Sequence, residues 1–280
     1  MEFDYFAYLR DAGVQKGELL DVSSDMMNVM LLCRRAGITF DPNHLLDALQ
    51  EAVGPEGTLM IRAFSWDFCK GLPFDVRTSK SRVGILGDVA MERAEFLRTR
   101  HPLYSWMVWG RFQQELCALD QINAFGSGTP FEFLALHEGR QLRIGHTHAP
   151  GYTQMHHIEK LVDVPYRYEK YFDGDYTDGD GQTERRRYTM FVRRLDLDAC
   201  VRDKWSLMEA KWREKHLLQE GAFGGIEWGR LLLREAGEIE FRDLTENYGR
   251  NSYTVNGVPG FEDVTRDGEF EHQYTGDLQE

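Results

Sequence analysis

Residues 145–159, GHTHAPGYTQMHHIE, group side chains that can move a proton or bind a metal. Four of the nine histidines of the chain lie here, together with two threonines and one glutamate. Histidine changes its charge near neutral pH and is also the commonest metal ligand. Three interpretations are therefore open: a metal site, a proton-transfer site, or an ordinary helix with histidines on its solvated surface.

The second half of this stretch has the spacing of a helical catalytic face. If residues 153–162 form a helix, an advance of about 100° per residue places Thr153, His156 and Glu159 on one side. The carboxylate can then orient the imidazole, and the hydroxyl can donate to a developing oxyanion. A neutral histidine can take a proton from an amine or hydroxyl that attacks a carbonyl. His157 projects within about 40° of Thr153, so spacing alone does not choose between the adjacent histidines, and a solvated His–Glu pair stays open.

A metal site is the competing interpretation. The HTH triplet at 146–148 resembles the HxH pairs of strand-borne zinc sites, and His156, His157 and Glu159 would complete the coordination. A zinc-dependent hydrolase is therefore one alternative function. Against it, the APG segment at 149–151 breaks the chain between the two groups, and neither group has the i, i+4 histidine pair of an HExxH motif.

Composition indicates an ordinary soluble globular protein. The net charge of −13 argues against nucleic acid or an anionic membrane as the main partner. No apolar run approaches the roughly 20 residues of a membrane span, and the N-terminus lacks the pattern of a secretory signal. The four cysteines form no CxxC pair, so reduced thiols are expected. These features predict a cytoplasmic protein.

The pattern of elements predicts an α/β fold. Strand and helix signals alternate, with a strand–helix–strand order in the first 61 residues. Strands are expected at 18–22, 58–61, 139–146 and 185–194, and in the apolar run that ends at Trp109. Helices are expected at 2–11, from Met26 to Gly37, after Pro42, from Val83, and at 199–219 and 228–236. The histidine segment directly follows a strand, where ligand sites of α/β folds gather.

The C-terminal region has a different composition from the rest. From about residue 245 the chain is rich in Asn, Gly, Tyr and Asp. This composition predicts an irregular tail. The sequence is therefore divided into one domain at 1–244 and an extension at 245–280.

Several motifs resemble one enzyme family. TQMHHIE followed by LVDVPYRY resembles the T-x-x-H-x-x-E…VPY(R/K) signature of the aminoglycoside 3-N-acetyltransferase (antibiotic N-acetyltransferase) family. Further segments resemble that family in the same order; they are LLDALQEAVGPEGTLMI, SRVGILGDVAM, RTRHPLYSWMVWG and FGSGTPFEFL. The resemblance extends from about residue 15 to about residue 240.

The resemblance implies a fold and a reaction. The fold is a mixed central sheet flanked by helices, with a single core, and no metal is implied. The reaction is direct transfer of acetyl from acetyl-coenzyme A (acetyl-CoA) to an amine acceptor. In it, His156 is implied as the general base, Glu159 as its orienting partner, and Thr153 as the donor to the thioester oxygen. The resemblance leaves the oligomeric state open, a homodimer included.

Residues that bind the substrates are implied in the same way. Those expected near the pantetheine arm or the reacting centre are Ser23, Ser24, Ser81, Gly84, His101 and Ser105. Basic loop residues bind phosphates well, so Arg77, Lys80 and Arg82 are expected near the phosphates of the coenzyme. His157 is expected to line the acceptor pocket.

The acceptor stays open between two classes of amine. It is either an aminoglycoside, at its 3-amino group, or an amino sugar destined for a surface glycan. This chain has VSSD at 22–25 where antibiotic-modifying members commonly have H-(S/T)-S-L, which keeps the second class open. The stretch at 64–77 also resembles relatives from surface-polysaccharide gene clusters.

An acidic segment at 173–184 has its own alternatives. It matches a calcium loop at positions one, three and twelve, but Asp178 stands where that loop needs glycine. It is otherwise the tip of a hairpin, or a lid that presents Asp175, Asp178 and Asp180 to ammonium groups of the acceptor.

Overall fold

The computed structural model describes residues 2–147, 151–197, 201–203, 205–255 and 258. Twelve strands lie in this part of the chain. In chain order they are β1 (Leu19–Ser24), β2 (Thr58–Arg62), β3 (Phe74–Asp75), β4 (Leu97–Arg98), β5 (Trp106–Gly110), β6 (Arg140–Ile144), β7 (Arg167–Thr177), β8 (Thr183–Arg193), β9 (Val201–Asp203), β10 (Leu218–Phe223), β11 (Ile226–Leu232) and β12 (Tyr253–Val255).

Nine α-helices lie in the same described ranges. They are α1 (Tyr5–Asp11), α2 (Met26–Arg35), α3 (Pro42–Val53), α4 (Ile85–Met91), α5 (Gln113–Ala118), α6 (Pro130–Leu136), α7 (Met155–Val162), α8 (Ser206–Glu214) and α9 (Leu233–Glu246). Within the described chain, no helix combines the length and the apolar character that crossing a membrane requires.

Seven strands form the central sheet, in the order β10-β11-β6-β1-β2-β5-β4. Strand β1 runs parallel to β2 and β6, whereas the outer pairs are antiparallel. The expected mixed sheet flanked by helices is therefore confirmed. Two smaller sheets, β3-β7-β8 and β12-β9, complete the described strands.

The central sheet buries both of its faces. Side chains alternate along a strand, so Leu20 and Val22 of β1 pack into one apolar cluster, whereas Leu19 packs into the other. Asp21 shares the face of Leu19 and is 2% exposed. A carboxylate in the middle of a buried strand requires polar partners, because its desolvation is costly.

The carboxyl ends of three strands position the site. Because β1, β2 and β6 are mutually parallel, their carboxyl ends lie at one edge of the sheet. The turn from β1 into α2, the end of β2 at Arg62, and the segment from β6 to α7 all start there. Gly145 begins that last segment with a φ of +78°, a conformation that favours glycine.

Two predictions of local structure were wrong. The helix expected at 199–219 is replaced by β9, α8 and the start of β10, with 198–200 and 204 outside the described residues. The helix expected at 228–236 is strand β11 followed by α9. Long-range pairing decides the second case, because β11 pairs with both β6 and β10. The turn between β10 and β11 uses Gly224 and Gly225 at positive φ, a hairpin signal.

The expected domain boundary at 244 falls inside α9. This helix continues to Glu246, and the segment after it folds back, since the Asp243 carboxylate accepts the hydroxyl hydrogen bond of Ser252. Residues 256–257 and 259–280 of the predicted extension lie outside the described residues.

Helix α4 depends on a glycine for its approach to the sheet. A Cβ atom on Gly87 would lie 2.5 Å from the carbonyl oxygen of Arg62. We predict that Gly87→Ala lowers the free energy of unfolding by about 1–3 kcal/mol, because backbone would have to move. Urea unfolding measures this, with Gly179→Ala as control, where nothing lies within 4 Å. Equal stability of the two variants would contradict the packing described.

Candidate active site

A cavity of about 1000 Å³ opens at the carboxyl ends of β1, β2 and β6. Its inner wall is polar and includes Ser23, Thr153 and His156. Toward solvent, the exposed apolar side chains of Met27, Met30 and Ile85 line it. An apolar entrance that leads to polar groups suits a long, flexible ligand with a reactive end.

His156 and Glu159 form a close pair on α7. The imidazole Nδ1 lies 2.7 Å from the Glu159 Oε2. A carboxylate can only accept a hydrogen bond, so the neutral ring carries its proton on Nδ1 and keeps a lone pair on Nε2. The His156 side chain is 20% exposed and lines the cavity, whereas Glu159 is fully buried. The expected helical face is thus present, and the solvated-pair interpretation does not fit a buried carboxylate.

The buried Glu159 carboxylate has further partners from the segment after α7. The Tyr166 hydroxyl donates to Oε1 at 2.9 Å, and the Arg167 Nε forms an ion pair with Oε2 at 2.7 Å. Asp163, at a φ of +54°, ends the helix and turns the chain toward these contacts. Tyr166 and Arg167, within the VPYRY part of the motif, therefore hold the carboxylate in place, a role that the sequence did not reveal.

Burial favours the neutral form of the His156 imidazole. Removal from water lowers the pKa of the imidazole below its ordinary 6.5, and the Arg167 cation lowers it further. The hydrogen bond to Glu159 acts in the opposite direction but does not cancel these effects. At neutral pH the ring is therefore unprotonated and can accept a proton.

Thr153 lies one turn before His156, where its hydroxyl faces the cavity. Its Oγ1 accepts a hydrogen bond from the Arg62 guanidinium at 3.2 Å. The same guanidinium forms a buried ion pair with Asp21 at 2.5 Å. Sequence reasoning missed Arg62 and Asp21, although an aspartate within the apolar LLDV run was an available signal.

Two of the predicted coenzyme residues are the last two residues of β1. Ser23 and Ser24 both line the cavity. The Ser23 Oγ lies 3.1 Å from Nε2 of His146, which lines the cavity too. His146 had been considered only as a metal ligand, and its position makes it a candidate for substrate contact.

The loop before α4 divides into residues that line the cavity and residues that do not. Gly84, at a φ of +129°, lines the cavity. Arg82 lines it too, and its guanidinium lies 2.6 Å from the Asp67 carboxylate. Ser81 is not part of the lining; its amide donates to Asp88 and its hydroxyl accepts from the amide of Val83.

The other two cations expected near phosphates are engaged elsewhere. Arg77 forms an ion pair with Asp75 at 2.8 Å, and Lys80 lies 3.8 Å from Glu92. Neither lines the cavity. Of the three predicted phosphate-binding cations, Arg82 alone is placed where a coenzyme in the cavity would meet it.

His101 and Ser105 hold loops together, and neither lines the cavity. The Nδ1 of His101 accepts the amides of Leu103 and Tyr104, and burial lowers its pKa to about 4. The Ser105 hydroxyl donates to the carbonyl of Ala63 and is fully buried.

His157, which was expected to line the acceptor pocket, is buried in the protein and does not line the cavity. The side chain is fully buried, and its Nδ1 accepts the amide hydrogen of Gly126 at 3.2 Å. Burial lowers the pKa of this imidazole to about 3. The neighbouring histidines therefore differ, because His156 faces the cavity and His157 packs beneath it.

The acidic segment forms the end of a long hairpin. Strands β7 and β8 pair along their whole length. Asp175 is 3.5 Å from Arg185, and the carboxylate of Asp178 accepts the amides of Asp180 and Gln182 across the turn. None of the three predicted lid carboxylates lines the cavity. The hairpin-tip interpretation fits this placement, and the lid does not.

The metal interpretation has no support from the described geometry. Across residues 2–147, 151–197 and the later described ranges, no three His, Cys, Asp or Glu side chains converge as metal ligands. His148, one member of the HxH pair, lies outside the described residues.

Comparison with known proteins decides the family. A family model described as aminoglycoside 3-N-acetyltransferase matches residues 22–239, which is most of the chain. The chain belongs to the aminoglycoside 3-N-acetyltransferase family. It is also similar to aminoglycoside N(3)-acetyltransferase IV from a Salmonella species, at 26% identity over 218 residues, which cover 77% of this chain and 76% of that protein.

Solved structures of similar proteins share the fold. The crystal structure of aminoglycoside acetyltransferase AAC(3)-Xa has a TM-score of 0.71 at 21% identity, and the match covers 85% of this chain and 90% of that one. AAC-IIIb, solved as a binary complex with CoASH, has a TM-score of 0.69 at 20% identity and coverages of 88% and 98%. A histidine-to-alanine mutant of AAC(3)-IVa in complex with a gentamicin has a TM-score of 0.68 at 21% identity, with coverages of 94% and 93%.

Family membership confirms the expected class of enzyme. The chain is an acyltransferase, and its co-substrate is acetyl-CoA. The zinc-dependent hydrolase alternative is accordingly set aside. The cavity suits this co-substrate, since its apolar entrance can hold a pantetheine arm and His156 and Thr153 stand at its polar end.

The environment of His156 predicts how its titration responds to charge. Removing the Arg167 cation removes one of the causes that lower the imidazole pKa, so we expect Arg167→Met to raise that pKa. NMR titration of the histidine ring protons measures it. Arg167→Lys keeps a cation and should keep the pKa low. Arg187→Met, which removes an exposed ion pair with Asp173, is the matched control. An unchanged or lower pKa in Arg167→Met would refute the electrostatic account.

Proposed function

We propose that this enzyme transfers the acetyl group of acetyl-CoA directly to an amine of an aminoglycoside, at the 3-amino position, with His156 as general base. The observation that carries the proposal is the 2.7 Å contact between His156 and a fully buried Glu159, at the wall of the cavity. This contact orients the imidazole at the cavity wall, while burial and the Arg167 cation keep the ring neutral.

The reaction requires a base because the nitrogen of a neutral amine must lose one N–H proton to become an amide nitrogen. His156 accepts a proton from the amine as its nitrogen attacks the thioester carbonyl. The new C–N bond gives a tetrahedral intermediate with its negative charge on oxygen. When the C–S bond breaks, the imidazolium returns the proton to the departing thiolate. The products are the acetylated amine and free coenzyme A, with no acetyl-enzyme formed.

Glu159 and Thr153 support opposite ends of this transfer. The Glu159 carboxylate fixes the tautomer and orientation of His156 and stabilises the imidazolium while it exists. The Thr153 hydroxyl donates to the oxyanion of the intermediate, where a preorganised donor is most effective.

An amino sugar of a surface glycan is the second candidate acceptor. The cavity lining described here contains two guanidinium groups, Arg62 and Arg82, and a single aspartate or glutamate, Asp25. Asp25 already caps α2 by accepting the amide of Asn28. Such a lining offers few carboxylates to a polyammonium antibiotic, and it suits an acceptor with fewer cationic groups, such as a nucleotide-linked amino sugar.

Substitution of the base tests the chemistry. We predict that His156→Ala lowers kcat by about 10²- to 10⁴-fold, the usual contribution of a positioned base, while the KM for acetyl-CoA stays nearly unchanged. Glu159→Gln should lower kcat as well, because the imidazolium loses its counter-charge. Thiol release measured with saturating acceptor reports kcat. His44→Ala, on the exposed surface of α3, is the control. Full turnover by His156→Ala would exclude the proposed base.

A panel of acceptors tests the substrate. Aminoglycosides and nucleotide-linked amino sugars are incubated separately with the enzyme and acetyl-CoA, and mass spectrometry locates the acetyl group. We predict turnover of an aminoglycoside acetylated at its 3-amino group. Turnover confined to amino-sugar nucleotides would establish the second candidate. Thiol release from neither class would contradict both.

A further inference from the structure

We propose that Arg62 is a positioning residue that sets the direction of the Thr153 hydroxyl, and that its ion pair with Asp21 holds it there. This inference rests on the proposed function, because it concerns how Thr153 donates to the oxyanion. Arg62 is the last residue of β2 and is only 8% exposed.

The Arg62 guanidinium is engaged on two sides. Its Nε donates to Oδ1 of Asp21 at 3.0 Å, and one terminal nitrogen donates to Oδ2 at 2.5 Å. The other terminal nitrogen donates to the carbonyl of Gly151 at 2.6 Å and to Oγ1 of Thr153 at 3.2 Å. A guanidinium is planar and rigid, so fixing its Asp21 side fixes where its other side points.

Asp21 is itself held from several strands. The Nε1 of Trp106, on β5, donates to its Oδ1 at 2.9 Å. Gln141 is paired with Asp21 across β1 and β6, and its side-chain amide donates to the Gly151 carbonyl at 2.7 Å. The ion pair therefore connects the centre of the sheet to the segment that carries Thr153.

The ion pair has a direct consequence for the Thr153 hydroxyl. A hydroxyl has one proton, and since its oxygen accepts from Arg62, that proton points away from the guanidinium. Thr153 lines the cavity, so the proton is available to an oxyanion there. The Gly151 carbonyl, a nearby competing acceptor, already accepts from Arg62, from Gln141 and from the Thr153 amide. The cation also polarises the hydroxyl and strengthens it as a donor.

A double-mutant cycle tests this role. Removing both charges together, in the variant Asp21→Asn/Arg62→Met, avoids leaving either one buried without a partner. We expect this variant to lower kcat about ten- to hundredfold, part of what loss of an oxyanion donor costs, with the KM for acetyl-CoA changed less than about twofold. In a T153V background the same two substitutions, at Asp21 and Arg62, should lower kcat less than about threefold, because the hydroxyl that Arg62 positions is absent.

The outcomes separate positioning from structural support. If the fold-decrease in kcat caused by removing the charge pair is as large in the T153V background as in the wild type, Arg62 acts through the fold and the inference is overturned. If the double variant does not fold, Arg62→Lys replaces it in both backgrounds. Lysine keeps the charge but lacks the planar guanidinium that bonds to both Asp21 and Thr153. The value of kcat should therefore fall in the wild-type background and hardly change in the T153V background.

The activities of His156→Ala and Thr153→Val distinguish failure of this inference from failure of the proposed function. An inactive His156→Ala with a fully active Thr153→Val would overturn this inference and leave the base in place. A fully active His156→Ala would overturn the proposed function itself.

Discussion

A carboxylate removed from water must be paired, and this constraint shapes the site. Glu159 has no exposed surface, and it is held by His156, Tyr166 and Arg167. Because burial makes the loss of any partner costly, these side chains have little freedom to move. The orientation of the His156 ring therefore follows from the burial of Glu159. With Nδ1 held by that carboxylate, the lone pair on Nε2 is left for a group in the cavity.

The same constraint operates a second time at Asp21. Its carboxylate lies in the middle of the central sheet, where Arg62 and Trp106 satisfy it. Two buried carboxylates thus hold the two ends of the proposed reacting centre, one beside the His156 imidazole and one behind the arginine that contacts the Thr153 hydroxyl. The parallel arrangement of β1, β2 and β6 brings both ends to one edge of the sheet.

How far the sequence predicts this molecule depends on whether a feature is local. Thr153, His156 and Glu159 are related by helical spacing alone, so their common face was predictable. The strands β1 and β2 and the helix α3, with Pro42 at its start and Gly54 after its end, were predictable for the same reason.

Features set by distant contacts were not predictable. Arg62 and Asp21 are 41 residues apart, and nothing local relates them. Which of two adjacent histidines faces the cavity depends on which side of α7 is packed, and His157 is buried because Gly126 lies against it. The contacts of His101 were hidden for a similar reason, since its Nδ1 accepts backbone amides within its own loop. Strand β11 forms by pairing with β6 as well as with β10, and the sequence of residues 218–232 alone carries no sign of the β6 partner.

The most direct measurement compares two pKa values in the wild-type enzyme: the apparent pKa of the acid limb of kcat against pH, and the pKa of the His156 imidazole in the substrate complex, measured by NMR. If His156 is the base held by Glu159, the two values coincide, and they shift together in Glu159→Gln. A kinetic pKa that differs from that of His156, or that stays fixed when the imidazole pKa moves, would contradict the account.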